Sequence, residues 1–248
     1  MIHSFLLIGQ SNMAGRGDIG DVAPIDNPSL KVLRNGRWQR LFVPVNPDRP
    51  FSGVNLAESF ADAYQRAHGV EVGLIPCADG GTRIDQWREG GLLFDHAVFQ
   101  ARLAERTSTI AGVLWHQGES DCKSELCEAY GEKLEAFYAA LMRALRLQDV
   151  PFLAGGLGDF LMECPELCEH VHAIDRQIEA FTRAHPMTGY VPAAGLAGRP
   201  DHLHFNAAAL RAFGLRYYEV FKTLERKDKV FAEKPREDDA LRTEIDSL

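Results

Sequence analysis

The sequence lacks a basic excess. Its 248 residues carry 27 Lys and Arg against 35 Asp and Glu, a formal net charge of −8. No basic face emerges, which sets aside the proteins held to nucleic-acid phosphates. Long hydrophobic runs are also missing. A membrane span needs ~20 consecutive apolar residues, and no stretch approaches that. The N-terminus, Met1-Ile2-His3-Ser4-Phe5-Leu6-Leu7-Ile8, has no basic leader, and its apolar run is too short for a signal-peptide core. It reads as a buried first strand, so a cytoplasmic protein is expected, with no membrane partner. No internal repeat or low-complexity tract occurs.

Cysteine is sparse and odd in number: Cys77, Cys122, Cys127, Cys164 and Cys168. An odd count without a signal favours free thiols on two surface insertions. A four-thiolate zinc site is one alternative. Its spacings, C-x4-C and C-x3-C, are looser than the usual C-x2-C knuckle. A disulfide within one of the two pairs is the other. No metal is expected.

What is present suits a globular enzyme. Hydrophobic residues make up 46% and charged residues 25%, ordinary values for a chain with a sizeable core. The mildly acidic balance fits a neutral or weakly charged small molecule. Short apolar runs, read as strands, occur at Ser4–Ile8, Val70–Pro76, Ile110–Trp115, Phe152–Gly155 and Gly189–Ala194. Between them lie helical patterns at Asn55–Ala67, Asp95–Thr107, Leu126–Leu147, His170–Ala184 and Asn206–Leu224. This alternation predicts βαβ units and a three-layer α/β/α sandwich around a central parallel sheet. Arg16–Phe51, with five prolines, reads as a long loop near the ligand-binding face. Residues 1–225 form one expected domain. Residues 226–248 are charged and poor in apolar side chains, and read as a solvated tail or a loosely docked extension.

Four segments carry chemistry, each just past a strand end or before the last helix, where open α/β sheets bind ligands. Gly9-Gln10-Ser11-Asn12-Met13 puts Ser11 on a strand-to-helix turn, as a nucleophile or simply as a helix cap. Ala78-Asp79-Gly80-Gly81-Thr82-Arg83-Ile84-Asp85-Gln86-Trp87 offers a bare glycine N–H to an oxyanion, or is a plain turn. Trp115-His116-Gln117-Gly118-Glu119-Ser120-Asp121 offers the Gln117 amide as a second donor, or Gln117 only bonds within its loop; Glu119 either orients a histidine or holds that loop, and Trp115 on its own reads as core. In Asp201-His202-Leu203-His204-Phe205 a carboxylate three residues before His204 can reach its ring and fix the tautomer. The alternative there is an ordinary helix N-terminus. His202 is adjacent to Asp201, and adjacent side chains diverge, so the spacing favours His204.

Taken in order, Gly-Gln-Ser-Asn-Met, Gly-Gly-Thr-x-Ile-x-x-Trp, Trp-His-Gln-Gly-Glu-Ser-Asp and Asp-x-x-His-Phe resemble the signature blocks of one group. This is the sialate O-acetylesterase and carbohydrate esterase family 6 branch of the SGNH/GDSL hydrolases. The resemblance spans residues 4 to about 215. It implies a flavodoxin-like SGNH fold and hydrolysis of acetyl esters on sugars, without a cofactor. It also implies Ser11 as nucleophile, His204 as base and Asp201 as its partner. The Ser11 N–H, the Gly81 N–H and the Gln117 side chain would form the oxyanion hole. Gly-Gln-Ser-Asn replaces the wider superfamily's Gly-Asp-Ser, and Gln117 stands where most members carry Asn; both are usual in this branch. Glu119 either shares the work of Asp201 or anchors its own loop. The rival readings are another acyl hydrolase, such as an acetylxylan esterase or a lysophospholipase-like enzyme, and a non-catalytic carbohydrate-binding module. A lipid substrate would want an apolar groove, which the Arg16–Phe51 segment does not suggest. A module that had lost catalysis would have no need of the whole set of candidate residues.

Overall fold

The computed structural model describes residues 1–226 except Leu167, together with Phe231 and Lys234. Most of the expected tail therefore lies outside the described residues.

The apolar N-terminal run forms β1 (Ile2–Gly9), with seven of its eight residues buried. A strand buried on both faces reads as a continuous hydrophobic run, as expected at the middle of a parallel sheet. The sheet has seven strands in the order β3-β2-β4-β1-β5-β6-β7. The others are β2 (Leu30–Arg34), β3 (Arg37–Arg40), β4 (Glu71–Pro76), β5 (Thr109–His116), β6 (Phe152–Gly155) and β7 (Thr188–Val191). All neighbours pair in parallel except β2 and β3. Helices α2 (Ala57–His68) and α7 (Ala207–Leu224) pack together on one face. Helices α3 (Leu92–Ala104), α5 (Tyr130–Ala144) and α6 (Val171–Ala184) cover the other. Among the described residues, no helix is long and apolar enough to cross a membrane.

The three-layer expectation holds, with three corrections. Arg16–Phe51 is not all loop. It contains the β2–β3 hairpin, which closes one sheet edge with an antiparallel strand carrying two exposed arginines, a common guard against edge-to-edge pairing. The long helix expected over Leu126–Leu147 is broken into α4 (Ser124–Cys127) and α5. Gln177 of α6 explains the break: its amide nitrogen donates to the Cys127 carbonyl (2.9 Å) and its oxygen accepts from the Gly131 N–H (2.8 Å). One side chain thus satisfies two backbone groups that a continuous helix would have paired. Third, the cysteines are not all free thiols. Cys122 forms a disulfide with Cys168, across the two clusters rather than within either. Cys77 and Cys127 are buried, and the Cys164 thiol donates to Glu166 (3.0 Å), so the four sulfurs do not assemble as one ligand set.

β4 lies on one side of β1 and β5 to β7 on the other, so the winding reverses at β1. Crevices of this kind, beyond the carboxyl ends of the strands, receive ligands. In register, Gly9 of β1 sits opposite His116 of β5. A Cβ on Gly9 would lie 2.0 Å from the His116 carbonyl oxygen, and its φ is +130°. Only glycine lets the two strand ends come this close while the chain turns into Ser11.

Candidate active site

Gln10 opens the site. Its N–H donates to the His116 carbonyl (2.9 Å), and its carbonyl accepts from Met13 and Ala14 to close α1 (Ser11–Ala14). Ser11, buried, is thus the first residue of a one-turn helix directly after β1. Its side chain points to the loop before α7. There Ser11 Oγ lies 3.0 Å from His204 Nε2, and His204 Nδ1 lies 2.9 Å from Asp201 Oδ2. The other Asp201 oxygen accepts from the Leu203 and His204 N–H groups, both at 3.0 Å. Burial by itself raises the Asp201 carboxyl. The His204 ring and the two backbone donors outweigh it and hold the group below the usual aspartate range. Asp201 therefore presents a charge to one ring nitrogen while the other faces the serine. His202 turns away, with φ +50°, and its Nδ1 meets Glu163 Oε2 at 3.0 Å.

The loop after β4 supplies the facing wall. Ser11, Gly80, Gly81, Glu119, Ser120, Leu203 and His204 line one cavity of about 350 Å³, with Arg16, Arg49 and Phe51 among its other walls. A Cβ on Gly80 would sit 3.5 Å from Ser11 Cβ and 2.4 Å from Arg16 Nη2, so this loop closes tightly on the serine. Gly81 has φ +79°. Among the described residues, neither the Ser11 nor the Gly81 N–H has a partner within the chain. The site thus combines a serine–histidine–carboxylate line with two unspent backbone donors, the parts needed to attack a carbonyl and hold the resulting oxyanion.

Of the two readings of Gln117, the structure takes loop bonding over the oxyanion donor. Its amide nitrogen is buried and faces three acceptors: Asp121 Oδ2 (2.6 Å), Gln10 Oε1 (3.0 Å) and the Thr82 carbonyl (3.0 Å). Its two hydrogens are spent there, so it donates nothing into the cavity. Burial raises the Asp121 carboxyl, which needs these donors, and Asp121 Oδ2 also accepts from the Ile84 N–H (2.9 Å). Gln117 and Asp121 thus lash the loop after β5 to the loop after β4. Gln10 Oε1 extends the seam by accepting from the Gly118 and Ser120 N–H groups (3.3 and 3.2 Å).

Glu119 lies off the serine line. Its Oε1 accepts from Asn12 Nδ2 (2.5 Å) and meets His116 Nε2 at 3.1 Å. Burial pushes its carboxyl up, but the His116 ring and these hydrogen bonds win and hold it low. Trp115 is core, edge-on to Trp87. Trp87 in turn donates to Thr82 Oγ1 (3.2 Å), which bonds the Asp79 carbonyl (2.8 Å), so that tryptophan braces the glycine loop.

Several residues that sequence reasoning missed hold this geometry. The Asn12 amide nitrogen donates to the Leu203 carbonyl (3.1 Å), and its oxygen accepts from the Phe205 N–H (3.1 Å). It grips both neighbours of His204. Asn46 pairs with both backbone groups of Ala78, each at 2.9 Å. Asp48 Oδ2 accepts from the Gly80 N–H (2.8 Å), and Arg49 Nη2 donates to the Gly80 carbonyl (3.0 Å). Asn12 stands beside Ser11, and that adjacency was an available signal. Asn46, Asp48 and Arg49 lie in an irregular stretch where no periodicity marks them.

Residues 1–223 match the family described as carbohydrate esterase, sialic acid-specific acetylesterase. The chain is 31% identical over 246 residues to the probable carbohydrate esterase At4g34215 of Arabidopsis thaliana, covering 88% of this chain and 89% of that protein. The X-ray structure of that protein superposes with a TM-score of 0.81 at 26% identity, over 89% of this chain and 98% of the other. NanS follows at 0.72 and 17% identity, over 90% and 97%. XAC1771, a carbohydrate acetylesterase from Xanthomonas citri, gives 0.67 and 19% identity, over 90% of this chain and 56% of that one. These neighbours share the SGNH hydrolase fold.

Proposed function

The chain belongs to the carbohydrate esterase family of sialic acid-specific acetylesterases, and on that premise we propose that it is a serine esterase removing O-acetyl groups from a saccharide. The observation that carries this reading is the hydrogen-bonded line Asp201–His204–Ser11, which opens on a cavity edged by two N–H groups without a partner among the described residues.

Ser11 Oγ attacks the acetyl carbonyl carbon while His204 Nε2 takes its proton. The carbonyl oxygen becomes an oxyanion beside the Ser11 and Gly81 N–H groups. Asp201, ionised and accepting from the His204 Nδ1–H, keeps the ring in the tautomer that leaves Nε2 free to accept, and offsets the imidazolium charge. The C–O bond to the sugar breaks, His204 returns the proton to the leaving hydroxyl, and Ser11 carries the acetyl group. Water then attacks the acetyl carbon as His204 takes one of its protons; the bond from that carbon to Ser11 Oγ breaks, acetate leaves, and His204 returns the proton to Oγ. Gln117, Gln10 and Asn12 serve this sequence indirectly, by holding the loops that bear Gly81 and His204.

The test is p-nitrophenyl acetate turnover together with acetate release from a panel of O-acetylated sugars. Ser11→Ala should fold normally and lose activity by several orders of magnitude, the usual result of removing a nucleophile of this kind. A serine-directed phosphonate should label the wild type at Ser11. Near-wild-type activity in a pure Ser11→Ala sample would remove this residue from the mechanism.

A further inference from the structure

Resting on the esterase reading above, we propose that Arg49 is a positioning residue for the reaction, whose guanidinium sets the direction and strength of the Gly81 N–H at the oxyanion. A peptide unit is planar, and its C=O and N–H point in opposite directions. The Gly81 N–H shares one rigid plane with the Gly80 carbonyl, so whatever holds that carbonyl directs the N–H. Arg49 Nη2 holds it, donating at 3.0 Å, and is its one hydrogen-bond partner among the described residues. Neither Gly80 nor Gly81 has a Cβ to stop this peptide turning over, and Gly81 sits at φ +79°. The neighbouring bonds hold other peptides. Thr82 Oγ1 donates to the Asp79 carbonyl (2.8 Å) and the Gly80 N–H donates to Asp48 Oδ2 (2.8 Å), and both of those backbone groups belong to the preceding Asp79–Gly80 unit.

The guanidinium reaches Gly80 from a fixed seat, although its side chain is 41% exposed. Nη1 donates to the Asp48 carbonyl (2.8 Å), Nη2 lies 2.9 Å from Asp79 Oδ1, and the Arg49 N–H donates to Ser52 Oγ (3.1 Å). Ser52 Oγ donates in turn to Asp48 Oδ1 (2.8 Å). Arg16, almost wholly buried, grips both Asp48 oxygens (3.0 and 2.7 Å). The seat is thus anchored beneath the rim. A cation on the carbonyl also draws density towards its oxygen and makes the N–H across the same amide a stronger donor, since linked hydrogen bonds polarise one another. That gain is greatest once the ester carbonyl has become an oxyanion, so it stabilises the transition state more than the bound ester.

Arg49 also borders the cavity, so the test must separate positioning from direct contact with a sugar. Steady-state kinetics on p-nitrophenyl acetate, which carries no sugar, do this. Arg49→Ala should lower kcat and kcat/KM together by ~10- to 100-fold with KM little changed, the pattern of an interaction made only in the transition state. Affinity for phenylboronic acid, which forms a tetrahedral anion on Ser11, should fall in step with kcat/KM. The acidic limb of the pH profile, set by His204, should stay in place, and Tm should change little. Arg49→Lys keeps a charged donor but loses the second bond to the Asp48 carbonyl, and should recover part of the loss in both kcat and boronate affinity. Wild-type kcat for Arg49→Ala would overturn the inference, as would a fall in kcat with boronate affinity unchanged. A loss confined to KM on acetylated sugars would make Arg49 a substrate contact instead, and a displaced acidic limb would put the effect on His204; either result also overturns it and leaves the esterase reading intact. If the wild type hydrolyses neither p-nitrophenyl acetate nor any acetylated sugar, the esterase reading itself fails, and this inference with it.

Discussion

Two histidine–carboxylate pairs in this chain share the same three-residue spacing and differ in almost everything else. In Asp201–His204 the carboxylate side chain is 43% exposed and the histidine 16%, and the second ring nitrogen faces Ser11. In His116–Glu119 both side chains are essentially sealed from solvent. His116 Nδ1 is buried without a hydrogen-bond partner among the described residues, and its ring packs near Phe205 and Phe213. The spacing brings acid and imidazole together in both places. What the pair then does is decided by the third group on the ring and by access to the cavity. A ring with a hydroxyl at a cavity wall can shuttle protons to a substrate, whereas a ring enclosed in aromatic core can only position its neighbours. The two pairs are nevertheless joined. Glu119 holds Asn12, and Asn12 grips the backbone on both sides of His204. The sealed pair acts as the foundation of the open one.

The largest test of this contrast removes each carboxylate in turn. Asp201→Asn should lower kcat by ~10²–10⁴, since the same change in a related triad costs about 10⁴ through the wrong tautomer. Glu119→Gln should lower kcat by less than ~10-fold, because no proton passes through it, and should show mainly as a lower Tm. Steady-state kinetics on both single variants and the double variant, with melts to exclude unfolding, separate the roles. A folded Glu119→Gln enzyme more impaired than Asp201→Asn would reverse the assignment. Two mild singles with a dead double would mean that the carboxylates share the work.

A middle-sized effect tests the link itself. Asn12→Ala removes three hydrogen bonds around the His204 loop while leaving every residue of the serine line in place. We expect kcat to fall ~10- to 100-fold with KM little changed, since small misplacements of catalytic groups act on the chemical step. Asn12→Asp keeps the acceptor for the Phe205 N–H but sets a carboxylate against Glu119, so it should be the more damaging of the two. If Asn12→Ala keeps full turnover and loses only stability, the link is structural and does not steer His204.

The contrast also marks where sequence could be read and where it could not. β1 and β5 were legible because continuous apolar runs have few other homes, and Asp201–His204 because both partners lie within one turn. The function of the His116–Glu119 pair was not legible, since the deciding contacts come from Asn12, more than 100 residues away. Which of its two roles Gln117 takes was not legible for a similar reason. Its direction is set by the buried acceptors Asp121 and Gln10, and no local pattern reveals a buried acceptor. The β2–β3 hairpin did carry a local signal, the two-residue turn Asn35-Gly36 with both residues at positive φ, which the surrounding prolines outweighed. The break before α5 depends on Gln177, and Cys122 found its partner 46 residues on, across the two clusters. Gln117, the break before α5 and the disulfide were each settled by a contact that local spacing does not encode.

The smallest effect is in acid stability, and it too should divide the pairs. Both carboxylates titrate below their ordinary values in the folded chain. A depressed folded pKa stabilises the native state above the unfolded pKa, and that contribution disappears as pH falls through the folded value. For Glu119 the ordinary value is 4.5, so its contribution is complete at neutral pH and drains away on acidification below about 4.5. Asp201 follows the same sign from 3.8 downwards. Its side chain is nearly half in water, however, and solvent screening leaves exposed pairs worth little. Denaturant melts between pH 7 and pH 3 should therefore show wild type and Asp201→Asn losing stability along nearly parallel curves. Glu119→Gln should start lower at pH 7, because a buried charge-assisted network has been weakened, yet decline less steeply below 4.5, so that its gap to wild type closes. A Glu119→Gln curve parallel to wild type, with Asp201→Asn the flatter one, would mean that the exposed pair carries the acid-labile stability and that burial does not separate the two.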